Sequence, residues 1–389
     1  MIPQHGTLEI SRSRLAHNIK VLRRRIGPAG ICATVKAEAY GHGLREICEL
    51  LPDNGVQWAC VYSLREAQSV ATWGQKKLKV LALAPWKVGE TEPELLGASL
   101  DDWVPQIRVT VSGDDYLLLL DMLAETKYGY RNGHPPISVH VQIDTGLTRG
   151  GADAGALAEL AGSIQVHQGL RLEGLFMHLS HGDVPGHESI DQQIDAFLTA
   201  ALPVKEKLPE LLLHAQNSGG AWHCSRKLSR HFDMVRIGIA MYGLQPSAEN
   251  PIAHLKPVAR LVAPILHIHR RPAGTGVGYG HTFITTRPSV LAVVPVGYAD
   301  GYPRAMSNRG IVQIDGNSAP VAGRVSMDQI VVDVTDLPAD SVQNGRQVTV
   351  ISNDPAAPNC IDAIAAACGT IGYEIATGLG QRLARRVVE

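Results

Sequence analysis

The chain has 389 residues, of which 45% are hydrophobic, and its 36 lysines and arginines nearly balance 37 aspartates and glutamates. The net charge of −1 excludes a general electrostatic attraction to nucleic acid or to an anionic membrane. The length suits two domains, or one large barrel with an addition, and the charge balance favours a small neutral or zwitterionic substrate.

The beginning of the chain, MIPQHGTLEI, has no basic region followed by an apolar run. No later segment approaches the roughly 18 uncharged apolar residues of a membrane span. We therefore expect a cytoplasmic protein. The six cysteines are scattered, with no CxxC pair and no metal-ligand spacing, and buried packing is their predicted role.

Up to about residue 245, short β-branched runs alternate with stretches of helical periodicity, the pattern of repeated βα units. Apolar residues such as Leu15, Ile19 and Leu22 recur at the spacing of a helix with one buried stripe. The predicted strands are 31–36, 57–62, 78–83, 107–112, 137–144, 170–177, 211–216 and 232–237. Eight such units favour an α/β TIM (β/α)8 barrel over residues 11–245, rather than an open doubly wound sheet.

The pattern changes after residue 250, where strands are joined by Gly, Pro, Asn and Asp turns. The predicted strands are 261–270, 289–299, 310–316, 319–326, 329–334 and 347–352. They indicate a mainly-β C-terminal domain over residues 246–389. One helix is predicted over 360–369, with Asn359 or Asp362 capping its start and Gly369 ending it. Residues 1–10 contain TLEIS, a predicted strand of either domain, and 127–136 is a predicted loop.

Polar residues follow the predicted barrel strands at the carboxyl edge, where TIM barrels carry their active sites. They are Lys36 after strand 1, Arg149 after strand 5, His178 after strand 6, Asn217, Ser218, Gly219 and Gly220 after strand 7, and Arg236 and Gly238 at strand 8. The last two strands are those after which barrels often bind phosphate through backbone N–H groups. A lysine facing a phosphate site suggests Schiff-base chemistry, and pyridoxal phosphate supplies both aldehyde and phosphate.

The segment ATVKAEAYGHG around Lys36 resembles the lysine motif of alanine racemases. The likeness continues in family order through IDTGLTRGG, FMHLSHGD, NSGGA, MVRIGIAMYGL, VGYGHTF, VGYADGYPR and AGRVSMDQ. It covers nearly the whole chain, and the lysine motif and VGYADGYPR are its most specific parts. The resemblance implies a pyridoxal-phosphate-dependent racemase of L- and D-alanine. It also implies a homodimer with shared active sites that supplies D-alanine for peptidoglycan.

The resemblance also implies a role for each matching residue. The two catalytic bases would be Lys36, which also carries the cofactor, and Tyr279, which the second subunit contributes. The other cofactor-binding residues would be Tyr40, Ser218 and Gly238 at the phosphate with Asn217 and Ile239 beside them, Arg236 at the pyridine nitrogen, and His178 linking Arg236 towards Tyr279. Arg149 and Met327 would hold the substrate carboxylate, and Tyr298 would line the entrance.

These roles agree with the chemistry, because racemisation removes a proton from one face of Cα and delivers one to the other. Two opposed bases achieve this. A guanidinium does not give its proton to a pyridine nitrogen, so Arg236 would keep the ring unprotonated. A tyrosine has a pKa near about 10, so Tyr279 needs nearby positive charge or hydrogen bonding to act as a phenolate.

Two positions depart from the family pattern. Gln142 stands where many members carry a modified lysine, so Arg149 must be steadied by Gln142, an anion or water. Gln381 aligns with a position where many members have a tyrosine. The second departure leaves open whether alanine, serine or another small amino acid is the preferred substrate.

Other interpretations remain for these residues. Taken alone, Lys36 is a solvated charge, His178 a core histidine, and Tyr279 and Tyr298 are packing aromatics in Gly-rich turns. His178 and His181 suggest a metal, but no carboxylate completes a zinc pattern, and no metal is expected. The alternative functions are a decarboxylase of the same fold, for which the typical Cys-Glu-x-x-Asp stretch is missing, a non-catalytic pyridoxal-phosphate-binding protein, and a metal-dependent barrel hydrolase.

Overall fold

The structure, a computed structural model, describes residues 5–75, 77–85, 106–113, 135–224 and 230–389. The chain divides into two compact units. The first, here called the barrel unit, comprises Ile19–Ala39 and Ile47–Met241. The second, here called the β unit, comprises Met1–Asn18, Tyr40–Glu46 and Tyr242–Glu389. The predicted loop at 127–136 lies outside the described residues except for its last two positions.

Parallel strands form the centre of the barrel unit. After strand β1 (Thr7–Ser11), the chain forms β2 (Gly30–Thr34), β3 (Trp58–Val61), β4 (Lys79–Pro85), β5 (Ile107–Val111), β6 (Ile137–Asp144), β7 (Ala152–Asp153), β8 (Leu170–Phe176), β9 (Leu212–His214) and β10 (Met234–Ile237). The sheet order is β10-β2-β3-β4-β5-β6-β8-β9, with the short β7 beside β6. Each of the eight predicted barrel strands therefore corresponds to a strand of this sheet.

Backbone hydrogen bonds link the two ends of the parallel sheet. The amide of Asp233 donates to the carbonyl of Leu213, and the amide of Arg236 donates to the carbonyl of Gln216, both at 2.9 Å. These bonds join β10 to β9, so the eight strands form a nearly closed barrel. The predicted TIM-barrel fold class is confirmed.

Helices, the longer of which carry an apolar stripe, accompany the strands. They are α1 (Arg12–Ile26), α2 (Leu44–Leu50), α3 (Leu64–Trp73), α4 (Leu157–Val166), α5 (Glu188–Lys207) and α6 (Ser218–His223). Helix α5 shows the pattern most clearly, since Ile190, Ile194, Phe197 and Ala201 are buried at helical spacing in the core. Among the described residues, no helix combines the length and apolar character needed to cross a membrane.

The described residues of the β unit form three sheets. Its further strands are β11 (Ala259–Pro264), β12 (His267–Arg271), β13 (Gly276–Val277), β14 (Phe283–Ile284), β15 (Ser289–Val294), β16 (Ile311–Ile314), β17 (Asn317–Pro320), β18 (Ile330–Asp333), β19 (Gln347–Ile351) and β20 (Ala384–Val388). The sheet orders are β17-β16-β19-β11-β1-β20, β12-β15-β18 and β13-β14. Helices α7 (Ile361–Cys368) and α8 (Gly372–Thr377) accompany them. The predicted mainly-β character of this region is confirmed.

Short 3-10 turns complete the described secondary structure. They are Pro52–Asn54, Ala154–Ala156, Ile239–Tyr242, Tyr279–His281, Tyr298–Asp300, Arg304–Met306 and Ala339–Ser341.

Four local predictions in the β unit are wrong. The run 289–299 is a strand only as far as Val294, and its end lies in the 3-10 turn Tyr298–Asp300. The run 261–270 forms two strands, because Ile265 donates its amide to Arg346 in one sheet and Leu266 donates to Val293 in the other. The run 319–326 stops being a strand after Pro320, and Gly323 adopts a φ of +83°, outside extended geometry.

The fourth error concerns the start of α7. The cap is Cys360, whose Sγ accepts from the amide of Ala363 at 3.4 Å. Asn359 instead donates its side-chain amide to the carbonyl of Thr349 at 2.9 Å, so its side chain is directed to the sheet. The predicted end at Gly369 is right, since that residue has the left-handed φ of +71° that favours glycine.

Candidate active site

The sequence-predicted barrel residues lie at the carboxyl ends of the parallel strands. Lys36 follows β2 and is partly exposed, Arg149 and His178 follow β6 and β8, and Arg236 lies within β10. Asn217 and Ser218 begin α6 after β9, and Gly238 and Ile239 follow β10. The fold therefore gathers these eight residues at one edge of the parallel sheet.

The backbone immediately after Lys36 forms a left-handed turn. Ala37, Glu38, Ala39 and Tyr40 have φ values of 52°, 55°, 52° and 55°. This conformation costs a non-glycine residue roughly 1–2 kcal/mol, so the surrounding structure must hold it. Two hydrogen bonds do so: the amide of Ala39 donates to the carbonyl of Val35 at 2.9 Å, and the amide of Ala37 donates to Glu66 Oε1 at 2.7 Å.

Gly41 follows this turn in the β unit with a φ of +80°, and a Cβ there would lie 1.9 Å from the carbonyl oxygen of Ala376. Tyr40 is buried in the same unit, with its ring centroid 5.3 Å from that of Tyr242 and 6.0 Å from that of Tyr373. The turn therefore ends in a tightly packed aromatic cluster.

The guanidinium of Arg236 lies between two histidines. Its Nη1 is 2.8 Å from His214 Nδ1, and its Nη2 is 3.2 Å from His178 Nδ1. Nη2 also donates to the carbonyl of Met177 at 2.7 Å. A guanidinium only donates, so both histidines must accept through Nδ1 and carry their proton on Nε2. The arginine thus fixes the tautomer of each neutral ring.

The chain of contacts continues away from Arg236. His214 Nε2 is 2.8 Å from His140 Nδ1, and His140 Nε2 is 3.5 Å from Glu173 Oε2. Glu173 is also bound by Arg108, whose Nε and Nη2 lie 2.6 and 3.1 Å from its two oxygens. The buried guanidinium of Arg236 is thereby connected through two imidazoles to the partly buried carboxylate of Glu173.

Burial and charge keep these histidines neutral. Burial, followed by the charge of Arg236, lowers the pKa of His178 to about 3. Burial likewise lowers the pKa of His214 and of His140 below the ordinary histidine value. Burial alone would raise the pKa of Glu173, but contacts with His140 and Arg108 outweigh it, and the pKa is lowered. Near pH 7 the network therefore contains charged Arg108, Arg236 and Glu173, with neutral imidazoles between them.

These histidine pKa values predict acid destabilisation in a defined range. Between about pH 6.5 and the lowered folded pKa, the unfolded chain binds protons that the folded chain does not, so stability falls as pH falls. Going from pH 7 to pH 5 should cost about 2 kcal/mol for His178. The lowered pKa values of His140 and His214 act in the same direction. Urea midpoints measured from pH 8 to pH 5 check this. They should be nearly constant above pH 7 and decline below it, and a constant midpoint down to pH 5 would contradict the neutral network.

The loop that carries Arg149 is shaped by two neighbouring side chains. Asp144 Oδ1 accepts from the amides of Gly146, Leu147 and Thr148 at 2.9, 3.0 and 3.1 Å. Gln142 donates its Nε2 to the carbonyl of Gly150 at 2.8 Å. Arg149 itself is exposed and makes no hydrogen bond or ion pair with any residue that the structure describes. Its charge is therefore available to an anionic group.

Backbone donors converge near the start of α6. Ser218 Oγ accepts from the amides of Gly238 and Ala240 at 3.0 and 3.4 Å, while Asn217 caps α6 by accepting from the amide of Gly220 at 2.8 Å. The small residues are required, since a Cβ on Gly219 would lie 2.7 Å from the backbone of Asp183. Because Ser218 Oγ accepts from these two amides, its hydroxyl proton can be donated to an anionic group such as a phosphate.

Three predicted site residues of the β unit, Tyr279, Met327 and Tyr298, are exposed, whereas Tyr40 is buried. The exposed fractions are 70% for Tyr279, 52% for Met327 and 42% for Tyr298. The last two lie on adjoining segments, because the amide of Tyr298 donates to the carbonyl of Ser326 and the amide of Ala299 to that of Met327, both at 3.0 Å. Large apolar side chains exposed together are typical of a surface that a partner covers.

Gln381 lies beside the Tyr298 turn. The preceding residue, Gly380, donates its amide to the carbonyl of Asp300 at 3.0 Å. The following residue, Arg382, binds the two carboxylate oxygens of Asp300 with Nε at 2.7 Å and Nη2 at 3.1 Å. The position of Gln381 relative to Tyr298 is therefore fixed on both sides.

The network of Arg108, His140, Glu173 and His214 was not predicted from the sequence. All four residues lie within predicted strands, and a polar residue in a buried strand needs a partner. Their presence in four barrel strands was the signal that could have revealed them. In the described part of the chain, no group of three or more His, Cys, Asp and Glu side chains could hold a metal ion.

Comparison with known proteins gives full-length matches. The model of the alanine racemase N-terminal domain matches residues 10–246, and that of the C-terminal domain matches residues 258–387. An alanine racemase of Synechocystis sp. is 34% identical over 391 residues, covering 100% of both chains. One of Syntrophobacter fumaroxidans is 33% identical over 379 residues, covering 97% of this chain and 96% of the relative.

Two solved structures have the same fold. The alanine racemase of Streptomyces coelicolor A3(2) superimposes with a TM-score of 0.85 at 32% identity, covering 100% of this chain and 99% of the other. The alanine racemase of Bartonella henselae, solved with covalently bound pyridoxal phosphate, gives a TM-score of 0.79 at 28% identity, covering 99% and 100%.

Proposed function

Because the chain belongs to the alanine racemase family, we propose that it racemises alanine with pyridoxal phosphate and two opposed bases, Lys36 and Tyr279. The predicted family and the predicted enzyme class, an isomerase of the alanine racemase type, are confirmed by the full-length relatives. The observation that carries the two-base proposal is the placement of Lys36, His178 and Arg236 at one edge of the barrel.

The cofactor site is proposed from the donors of the barrel unit. Pyridoxal phosphate, when bound, supplies an aldehyde for a lysine and an electron-withdrawing ring that acidifies the Cα–H of an attached amino acid. Lys36 would hold it covalently, and Arg236 would face the ring nitrogen. Ser218, Gly238 and Tyr40 would bind the phosphate, with Asn217 and Ile239 beside them.

The tautomer of His178 supports its proposed role. Its Nδ1 accepts from Arg236, so its Nε2 carries a proton that can be donated. That donor would stabilise the phenolate of Tyr279, which allows the phenol to act as a base near pH 7. Lys36 Nζ and Tyr279 Oη would then remove and deliver protons on opposite faces of Cα.

A homodimer is the proposed assembly, with Tyr279 donated to the site of the other subunit. The exposure of Tyr279, Tyr298 and Met327 supports it, because a second copy of the chain would cover these side chains. Met327 would act with Arg149 on the substrate carboxylate, and Tyr298 would line the entrance. We also propose the domain division 11–245 and 246–389, and a cytoplasmic role in supplying D-alanine for peptidoglycan.

Gln142 is expected to affect substrate binding more than turnover. In Gln142→Ala, Gly150 loses its side-chain donor, and the Arg149 loop becomes less ordered. An arginine that binds the carboxylate equally throughout the reaction contributes to KM. We expect KM for alanine to rise about fivefold, corresponding to about 1 kcal/mol, with kcat changed less than about twofold. Steady-state kinetics beside the exposed control Gln192→Ala test this, and an unchanged KM would refute it.

Gln381 is expected to widen the substrate range. An amide in place of a phenol ring removes bulk and adds polar groups, so the pocket could take a hydroxymethyl as well as a methyl. Gln381→Tyr should raise the ratio of kcat/KM for alanine over serine by about tenfold, which is about 1.4 kcal/mol. The ratio is measured in one chiral assay in which alanine and serine compete for the enzyme. A ratio that stays the same or moves towards serine would show that Gln381 does not shape the pocket.

The reaction itself is tested by incubating the purified protein with pyridoxal phosphate and L-alanine or L-serine. Chiral chromatography should show the D-enantiomer. Release of CO2 and the corresponding amine, without a D-amino acid, would instead indicate the decarboxylase alternative.

A further inference from the structure

A single carboxylate connects the turn after Lys36 to the start of helix α3. Glu66 Oε1 accepts from the amide of Ala37 at 2.7 Å. Glu66 Oε2 accepts from the amides of Tyr62 at 2.9 Å and Ser63 at 3.0 Å. Both oxygens are therefore engaged by backbone donors from two separate segments of the barrel unit.

The amide of Ala37 belongs to the peptide that directly follows Lys36. Ala37 is also the first of four consecutive residues with positive φ, so this peptide is where the backbone leaves the strand for the left-handed turn. Rotation about the Cα–C bond of Lys36 would change the angle between its Cα–Cβ bond and the turn that follows. The hydrogen bond from Ala37 opposes that rotation from outside the turn.

Glu66 is itself firmly held. It is the third residue of α3, where its carboxylate accepts from the amide of Ser63 while Ser63 Oγ accepts from the amide of Glu66 at 3.3 Å. A carboxylate in the first turn of a helix is stabilised by the helix dipole, and a charged acceptor binds an amide more strongly than a neutral one. The helix thus presents a fixed anion to the Ala37 amide.

We propose that Glu66 is a positioning residue for Lys36, which fixes the peptide after the lysine and thereby the direction in which its ammonium group reaches the substrate. This inference rests on the proposed function of Lys36 as a base. It differs from a plain capping role, in which Glu66 would serve only the stability of α3.

Two variants separate these roles. Glu66→Ala removes the acceptor for Ala37 together with one half of the helix cap. Ser63→Ala removes the other half of the cap and the hydroxyl contact with Glu66 Oε2, but keeps Oε1 as the acceptor for Ala37. A small displacement of a reacting side chain can lower kcat strongly while the affinity for the substrate is retained. We therefore expect Glu66→Ala to lower kcat by about 10- to 100-fold with KM within about twofold, and Ser63→Ala to change both by less than about twofold.

Hydrogen exchange gives a readout that requires no substrate. In the purified protein, the Ala37 amide of Glu66→Ala should exchange at least about tenfold faster than in wild type, and that of Ser63→Ala at the wild-type rate. Glu66→Gln keeps one acceptor oxygen and the side-chain size, and should fall between these variants. If Glu66→Ala does not fold, Glu66→Gln is compared with wild type instead.

The proposal is overturned if Ala37 exchange is unchanged in the Glu66 variants, or if Ser63→Ala reduces kcat as much as they do. A wild-type protein that does not racemise alanine would refute the proposed function instead. In that case the exchange data still report whether Glu66 holds the turn.

Discussion

Lys36→Ala is expected to reduce kcat/KM for alanine by a factor on the order of 10⁴ or more, because the proposed function makes this side chain both the covalent attachment point and a base. The remaining phosphate and ring contacts would still bind the cofactor, but without a covalent bond. Chiral analysis of the product and absorbance of the bound cofactor measure the two effects. Borohydride treatment of the wild-type protein, followed by peptide mapping, should find the cofactor on Lys36.

The control for this experiment is Lys20→Ala, which removes an exposed lysine of α1 and should retain full activity. An adduct on another lysine, or substantial racemisation by the Lys36→Ala protein, would contradict the assignment of Lys36.

Mixing Lys36→Ala with Tyr279→Ala should restore activity, although each protein alone is nearly inactive. If each site takes Lys36 from one subunit and Tyr279 from the other, a mixed dimer has one site with both bases and one with neither. After random exchange of subunits between equal amounts of the two proteins, about a quarter of all sites contain both bases. Activity recovered on mixing, measured as a fraction of wild type, is the readout.

Subunit exchange has to be demonstrated separately, for example by mass spectrometry of differently tagged chains. Recovery should be absent when either variant is mixed with itself. No recovery between the two variants, despite demonstrated exchange, would show that Lys36 and Tyr279 do not belong to a site shared between subunits.

The barrel could be predicted because its strands are local patterns. Runs such as 137–144 and 170–177 are apolar, β-branched and bounded by turn residues, and each matches a strand, β6 or β8, within one residue at either end. In the β unit, the switch between sheets at Ile265 and Leu266 depends on partners at Arg346 and Val293, which no local pattern reveals.

The same limit applies to the site. Lys36, His178 and Arg236 could be predicted because they follow or lie in strands and match a known motif. The left-handed turn from Ala37 to Tyr40 could not, since alanine has no preference for this conformation and the bond from Ala37 to Glu66 spans 29 positions. The role of Tyr279 stays a prediction that the mixing experiment tests, and the roles of Met327 and Tyr298 stay predictions.

Conversion of L-alanine in deuterated water tests the central claim, racemisation by two opposed bases, most directly. One base removes the protium from Cα, and the other, already exchanged with solvent, delivers deuterium to the opposite face. The account predicts that D-alanine carries deuterium at Cα from the first turnovers, while the unreacted L-alanine pool remains largely protiated. D-alanine that retains the original protium would indicate a single base, and the absence of D-alanine would contradict racemisation itself.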